Sequence, residues 1–444
     1  MKQILYILML SLLLSSSLQA AAPETLLVGA ASVDVSGVPG PDLDGYLARV
    51  QPSTYIRTPL FARAVYLENQ SETLVWLVVD SLGLSTEIAT TVKTALASEF
   101  GIEPWRIVIS ATHTHSAPVV SPLSLIGTFK RSDEYIESVL IPGLLKAARN
   151  AKSSAEECSM VSATGEIDLA IDRRGRASKH VDKRVPAVGF KRADGSFKTV
   201  LLGYTMHPVC YCDGGISAEW PGAAADAVRE TFSQETEPFV FQGACGNNNP
   251  PKKDISDEEM QSWGKMIVDS VAEQLKAAEP QKPSLAVRGR HVTMLLDYPD
   301  EKEIHEFAEA RRNELTAYPK GIAACHIWEQ WAMQYRDNGG PDFLDAEIAA
   351  IVLGDRVFVT GPFETFSRIN VELAKRISKD CFAVGYTNGC YGYLPDEAAY
   401  DEGGYENNAY LWYRNFPFQR GELERLAERS VLLIKQALDA TEPQ

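Results

Sequence analysis

Histidine is scarce in this chain, with seven in 444 residues, and two of them stand two apart in Ala111-Thr112-His113-Thr114-His115. Residues two apart on an extended chain point the same way, so His113 and His115 are expected to face one place. They follow the apolar run 106–110 directly, which puts them at a strand end. Other metal-ligand types fall in comparable positions. His207 comes after the run 199–204 and precedes Pro208. Glu364 sits in Gly361-Pro362-Phe363-Glu364, just past 357–359, and Tyr393 closes Asn388-Gly389-Cys390-Tyr391-Gly392-Tyr393, past 382–386. In α/β sheets, ligands bind beyond the carboxyl ends of strands. Imidazole, carboxylate and phenol delivered there from separate strands could hold one zinc ion, for which nitrogen and oxygen donors with one open position are the catalytic pattern. Each residue also has a plainer alternative. A lone histidine after a strand is more often structural or exposed, a helix N-terminus favours a carboxylate without any metal, and spacing alone does not establish convergence.

The elements that would position these residues alternate between strand-like and helix-like patterns. Apolar runs at 74–80, 106–110, 186–191, 199–204, 239–241, 287–294, 348–353 and 357–359 predict strands. Amphipathic runs at 86–100, 133–150, 222–232, 257–278, 303–315, 327–335 and 421–437 predict helices. Asp194-Gly195 predicts a hairpin turn between two of the strands. The alternation predicts an α/β fold with mixed β-sheets and flanking helices. The polar, Pro-bearing stretches 232–238 and 279–284 read as loops, because candidate ligands lie on both sides of them. Asp80, at a strand end beside His113, is a candidate to orient a ligating histidine.

Composition narrows the function classes. The start Met1-Lys2-Gln3, the apolar stretch to Leu18 and the small residues Ala20-Ala21-Ala22 describe a secretory signal peptide over 1–20, removed on export to the periplasm or outside the cell. A retained anchor is the alternative, but the apolar core is short for a membrane span. The rest, 21–444, is expected to form a single large domain with no transmembrane span. Net charge is −16 and there is no dense basic cluster, so nucleic acid is set aside as a partner. Seven cysteines is an odd number, and Cys210-Tyr211-Cys212 lacks the spacing of a structural zinc pair. The cysteines read as mostly structural, with any pairing undecided.

The segment Ala111-Thr112-His113-Thr114-His115-Ser116-Ala117-Pro118 closely resembles A-T-H-T-H-S-[AG]-P of the neutral/alkaline (non-lysosomal) ceramidase family. The later order is similar as well: Asp172-Arg173-Arg174, a strand ending near His207, Pro221-Gly222, the Gly-Pro-x-Glu turn at Glu364, and Tyr393 and Tyr405 followed by Glu406. The resemblance runs from about Val28 to Glu406. It implies zinc ligands at His113, His207, Glu364 and Tyr393. It also implies His115, Arg173 (or Arg174) and Tyr405 as the groups around the reacting carbonyl.

Two departures stand out. Where the family has G-D-x-S-P, this chain reads Gly246-Asn247-Asn248-Asn249-Pro250. Asn249 cannot act as a nucleophile, although its amide can donate a hydrogen bond to a developing oxyanion; a Gly/Asn turn with no chemical role is the alternative. The family's C-terminal β-sandwich is not expected here, which weakens long-chain ceramide as substrate. Trp328, Trp331, Tyr335, Trp412 and Tyr413 could line an acyl pocket or stack on a sugar, or belong to the core.

The expectation is therefore a zinc-dependent hydrolase that cleaves an N-acyl amide through a metal-activated water, acting on a small-molecule or lipid substrate. Two alternatives remain: a carbohydrate N- or O-deacylase using the same zinc site, and a non-catalytic relative that only binds ligand.

Overall fold

The computed structural model describes residues 25–120, 130–174 and 179–441. The segment 1–20, expected to be a signal peptide, lies outside them. Eight strands form one sheet: Leu26–Asp34 (β1), Phe61–Glu68 (β2), Thr73–Val79 (β3), Ile107–Ala111 (β4), Glu156–Glu166 (β5), Arg184–Lys191 (β6), Phe197–Tyr204 (β7) and Glu237–Gln242 (β8). Their spatial order is β8-β7-β6-β5-β1-β2-β3-β4. Neighbours are antiparallel except at the two edges, where β3 pairs with β4 and β7 with β8 in parallel. A second sheet contains Leu285–Leu295 (β9), Phe343–Leu353 (β10), Arg356–Thr360 (β11) and Asp380–Val384 (β12), in that order, with β11 and β12 parallel.

The two sheets bury a shared layer of side chains. Trp76, Val108, Phe190, Phe239 and Phe241 of the larger sheet meet Val287, Ile351, Phe358 and Phe382 of the smaller one. Burial on both faces explains why β3, Thr73–Val79, is apolar at nearly every position and does not alternate. On the outer face of the large sheet lie Thr86–Phe100 (α1), Ile141–Ser153 (α2), Glu219–Thr231 (α3) and Asp257–Ala277 (α4). The small sheet is covered by Glu301–Glu314 (α5), Pro319–Asp337 (α6) and Glu422–Asp439 (α7). The result is an α/β fold of mixed sheets with flanking helices, in helix-sheet-sheet-helix layers.

Local chemistry sets the helix boundaries. Ser85 caps α1 by accepting from Ile88 N–H at 3.2 Å, and Gly101 ends it in the left-handed region at φ 70. α6 starts at Pro319, eight residues before the expected 327, because Pro is well suited to a first helical turn. β1, β2 and β5 were not marked by apolar runs, yet they occupy the middle of the large sheet. In β1 the reason is close packing: a Cβ at Gly29 would lie 1.8 Å from the Ala151 carbonyl oxygen, so the approach of α2 requires glycine there.

Trp328 and Trp412 are buried in the core beneath α5 and α6, and Trp331 and Tyr335 pack against Phe416 at its edge. These aromatics are core, not a sugar platform. All seven cysteines are unpaired.

Candidate metal centre

Each of the three parallel pairs within the two main sheets ends at the same place. Past β3 and β4 come Leu82 and the segment 112–116, past β7 and β8 come 205–207 and 243–249, and past β11 and β12 come 361–364 and 385–393. Bridges between Ser110 and Thr387 and between Gly243 and Val384 tie the two sheets together at this end. Side chains from both sheets are therefore delivered to one point.

At that point the Nε2 atoms of His113 and His207 are 3.2 Å apart, and those of His115 and His113 are also 3.2 Å apart. Glu364 Oε2 lies 3.2 Å from His207 Nε2 and 3.3 Å from His113 Nε2. The ring orientations follow from the backbone. His113 Nδ1 is 2.6 Å from the Leu82 carbonyl, His115 Nδ1 is 3.1 Å from the Gly45 carbonyl, and His207 Nδ1 is 2.7 Å from the Cys245 carbonyl. A carbonyl accepts only, so each Nδ1 carries the proton and each neutral ring turns an Nε2 lone pair inward. Three lone pairs and a carboxylate oxygen facing one another repel unless a cation sits among them. Among the described residues, His113, His115 and His207 form the group with metal-ligand spacing, their ligand atoms all within 4.8 Å. The donor set fits zinc.

Electrostatics points the same way. Burial pushes His207 down to about 4. Burial, then the neighbouring His113 and His207, hold His115 well below the usual imidazole range. Burial works to raise Glu364, but His113 and His207 outweigh it and hold the carboxyl well below its usual range. Neutral His115 and His207 beside an ionised Glu364 are in the protonation states that bind a metal.

The backbone around the site is strained. His113 (φ 66), Glu219 (φ 50), Tyr386 (φ 53) and Asn388 (φ 58) all adopt left-handed conformations without being glycine. The chain at 113–115 is thus not extended as expected. His113 and His115 converge nonetheless, with ring centroids 4.8 Å apart, because the turn at His113 redirects it. Gly45 allows the fit on the other side, since a Cβ there would lie 2.3 Å from His115 Nδ1.

The remaining expected residues fall nearby. Glu364 and Tyr393 are paired in register across a short parallel bridge. The Tyr393 ring stacks on His207 at 6.5 Å, and the charge of Arg173 acts on its hydroxyl. Arg173 donates to Glu406 at 2.8 Å, to the Gly246 carbonyl at 2.8 Å and to Asn249 Oδ1 at 3.4 Å. Its guanidinium lies over the Tyr393 and Tyr405 rings, at 5.3 and 5.9 Å. Arg174 turns instead to Glu406, the Gly403 carbonyl and the Phe366 ring. Of the two arginines, Arg173 is the one at the centre. Tyr405 is 49 % exposed and lines a cleft of about 380 Å³ together with Arg173, Arg174, Gly404 and Glu406.

Asp80 does not orient a histidine. Its Oδ2 accepts from Phe61 N–H and from Arg63, at 2.8 and 2.9 Å, in a buried ion pair. Backbone carbonyls take the role expected of it. Two tyrosines not expected at the metal, Tyr386 and Tyr413, also reach the centre. Tyr386 stacks on His113 with centroids 3.9 Å apart, and its hydroxyl contacts Glu364 Oε2 at 3.4 Å. The Tyr413 hydroxyl donates to Glu364 Oε1. Tyr386 lies two residues past β12, where the strand-end rule that selected His113 would have found it.

Comparison with known proteins agrees with this picture. Residues 26–211 match the family model described as neutral/alkaline non-lysosomal ceramidase, N-terminal. No curated protein matches the chain in sequence. Among solved structures, the chain resembles neutral ceramidase from Pseudomonas aeruginosa, with a TM-score of 0.71 at 16% identity over 95% of this chain and 75% of that one. A ceramidase complexed with C2 superimposes with a TM-score of 0.72 at 15% identity, over 95% and 76%. The family model covers the segment 111–118, and at these identities the structural likeness is one of fold.

Proposed function

We propose that this chain is a zinc-dependent hydrolase that cleaves an N-acyl amide. The observation that carries the reading is the convergence of three imidazole lone pairs and the Glu364 carboxylate with every Nδ1 already committed to a carbonyl. His113, His207 and Glu364 would hold the metal, with Tyr393 beside them. Zinc bound there supplies Lewis acidity toward a carbonyl and lowers the pKa of a water. His115 is the half-buried member of the histidine group. With Nδ1 held by Gly45, its Nε2 is the acceptor positioned to take a proton and return it to the leaving amine. Arg173 and Tyr405, at the cleft, are placed to stabilise negative charge on the substrate oxygen. Asn249 Oδ1 accepts from Arg173, which leaves its amide N–H₂ as a donor toward substrate.

A second reading, deacylation of a carbohydrate by the same centre, is favoured by the polar lining of the cleft: two arginines, a tyrosine and a glutamate. Parallel assays with a fluorescent ceramide and with acetylated sugars separate the two.

The metal content of the purified protein, without added metal, tests the centre. About one zinc per chain is expected of a single catalytic site. His113→Ala should lose both zinc and turnover. His115→Ala should keep zinc and lose turnover by at least about 100-fold, the scale of general acid-base assistance. Loss of zinc in His115→Ala would make that residue a ligand, and an unchanged rate in His113→Ala would sink the assignment.

A further inference from the structure

Glu219 has no part in the chemistry above, yet it is costly to place. It is a carboxylate 2% exposed, on a non-glycine backbone at φ 50, at the first position of α3. Left-handed backbone is unfavourable for an ordinary residue, and a buried carboxylate resists ionisation. Both oxygens are taken by neutral donors. The Ser116 hydroxyl donates to Oε1 at 3.1 Å, and Cys210 N–H donates to Oε2 at 2.7 Å. Ser116 follows His115, and Cys210 is three residues past His207. One side chain thus joins the two loops that carry all three histidines.

Arg49 makes the complementary tie from the opposite charge. It is 5% exposed, and its donors go to carbonyls: His115 and Asp44 at 2.8 and 2.9 Å, Tyr211 at 3.1 Å and Asp213 at 2.8 Å. The same two loops are again joined, and the charge of Arg49 acts on Glu219 to favour its ionised form. Further bonds fasten the first loop to the segment leading into α3: Thr114 Oγ1 to the Ser217 carbonyl at 2.6 Å, and Ser217 N–H to the Ser116 carbonyl at 2.9 Å.

We propose that Glu219, with Arg49, is a positioning residue for metal binding: it sets the spacing between the His113–His115 loop and the His207 loop. The inference rests on the metal-centre reading above. A strained, buried acid persists only where its surroundings over-determine it, and here those surroundings are the loops that present the ligands.

The test is zinc affinity, measured with zinc ion alone by competition against a chromophoric chelator, alongside the melting temperature of the metal-free protein. Glu219→Ala should bind zinc about 10- to 100-fold more weakly, the usual effect of removing a group that supports metal ligands. Glu219→Gln should restore affinity to near wild type, since its amide can accept from Cys210 N–H and donate to Ser116 Oγ. Val228→Ala, a buried position on α3 away from both loops, is the control: it should lower the melting temperature and leave zinc affinity unchanged. Wild-type affinity in Glu219→Ala overturns the proposal, as does an equal loss in Val228→Ala. Should Glu219→Ala fail to fold, Ser116→Ala decides, with weaker zinc binding expected and unchanged binding overturning the proposal. A wild-type protein that binds no zinc would defeat the metal centre itself, a result distinct from failure of the positioning role.

Discussion

At the scale of the residue, the centre is built from side chains whose protonation is decided by what surrounds them. Glu219 illustrates this in a way that can be measured apart from any metal. Burial, against the two hydrogen bonds and Arg49, raises its carboxyl to about 7 from an ordinary value of 4.5. A group whose folded-state pKa is raised binds its proton more tightly in the folded than in the unfolded chain. Its contribution to stability is therefore fully present below about 4.5 and lost as pH rises through about 7. A shift of that size corresponds to roughly 3 kcal/mol at 1.36 kcal/mol per unit. Glu219→Gln removes the titration while keeping the shape. In chelator-treated protein it should be more stable than wild type at pH 8 by that order and nearly equal at pH 4.5, as read from thermal or urea unfolding at the two values. A difference that does not change with pH would show that Glu219 is ionised at little cost.

At the scale of the element, strand ends do most of the positioning, and they explain what the sequence made legible. His113, His207, Glu364 and Tyr393 could be picked out because apolar runs mark strands and ligand-type residues follow them. The pairing of those strands could not be read, since β3–β4, β7–β8 and β11–β12 are parallel only because of crossovers on other parts of the chain. Nor could the contacts of Tyr386 and Tyr413 with Glu364, which depend on how two sheets meet. Asp80 was misread because its strand end was expected to lie beside a ligating histidine, whereas the neighbouring strand β2 supplied Arg63. Gly246 shows how tightly the ends are packed. A Cβ there would lie 2.4 Å from the Glu364 carbonyl oxygen, and Gly246 N–H already bonds the Thr365 carbonyl at 2.9 Å. Gly246→Ala should push the Glu364 segment away from the β8 loop. The expected cost is about 1–3 kcal/mol in stability, as for other overpacked sites, with weaker zinc binding. Calorimetry and a zinc titration check this, and a variant unchanged in both would mean that the two segments are free to separate.

At the scale of the whole molecule, the candidate ligands come from both sheets. His113 and His207 follow strands of the eight-stranded sheet, and Glu364 and Tyr393 belong to segments leaving the four-stranded one. A cation at their meeting point would cross-link the two sheets at the end where Ser110–Thr387 and Gly243–Val384 already bridge them. Binding to the folded state alone stabilises it by mass action, by about 2.7 kcal/mol when free zinc is a hundred times its Kd. In a chain of this size that is a rise of several degrees in melting temperature. The cross-link makes a sharper prediction about where protection appears. Amide hydrogen exchange should slow on zinc addition at 112–116, at 205–210 and at 361–366 together, while the outer helices α5 and α6 stay unchanged. Protection confined to 112–116 and 205–210 would mean that the metal is held by the large sheet alone, with Glu364 outside its shell. Slowing at all three would show that one ion fastens the two halves of the core, so that removing it loosens the fold at the place where substrate is expected to bind.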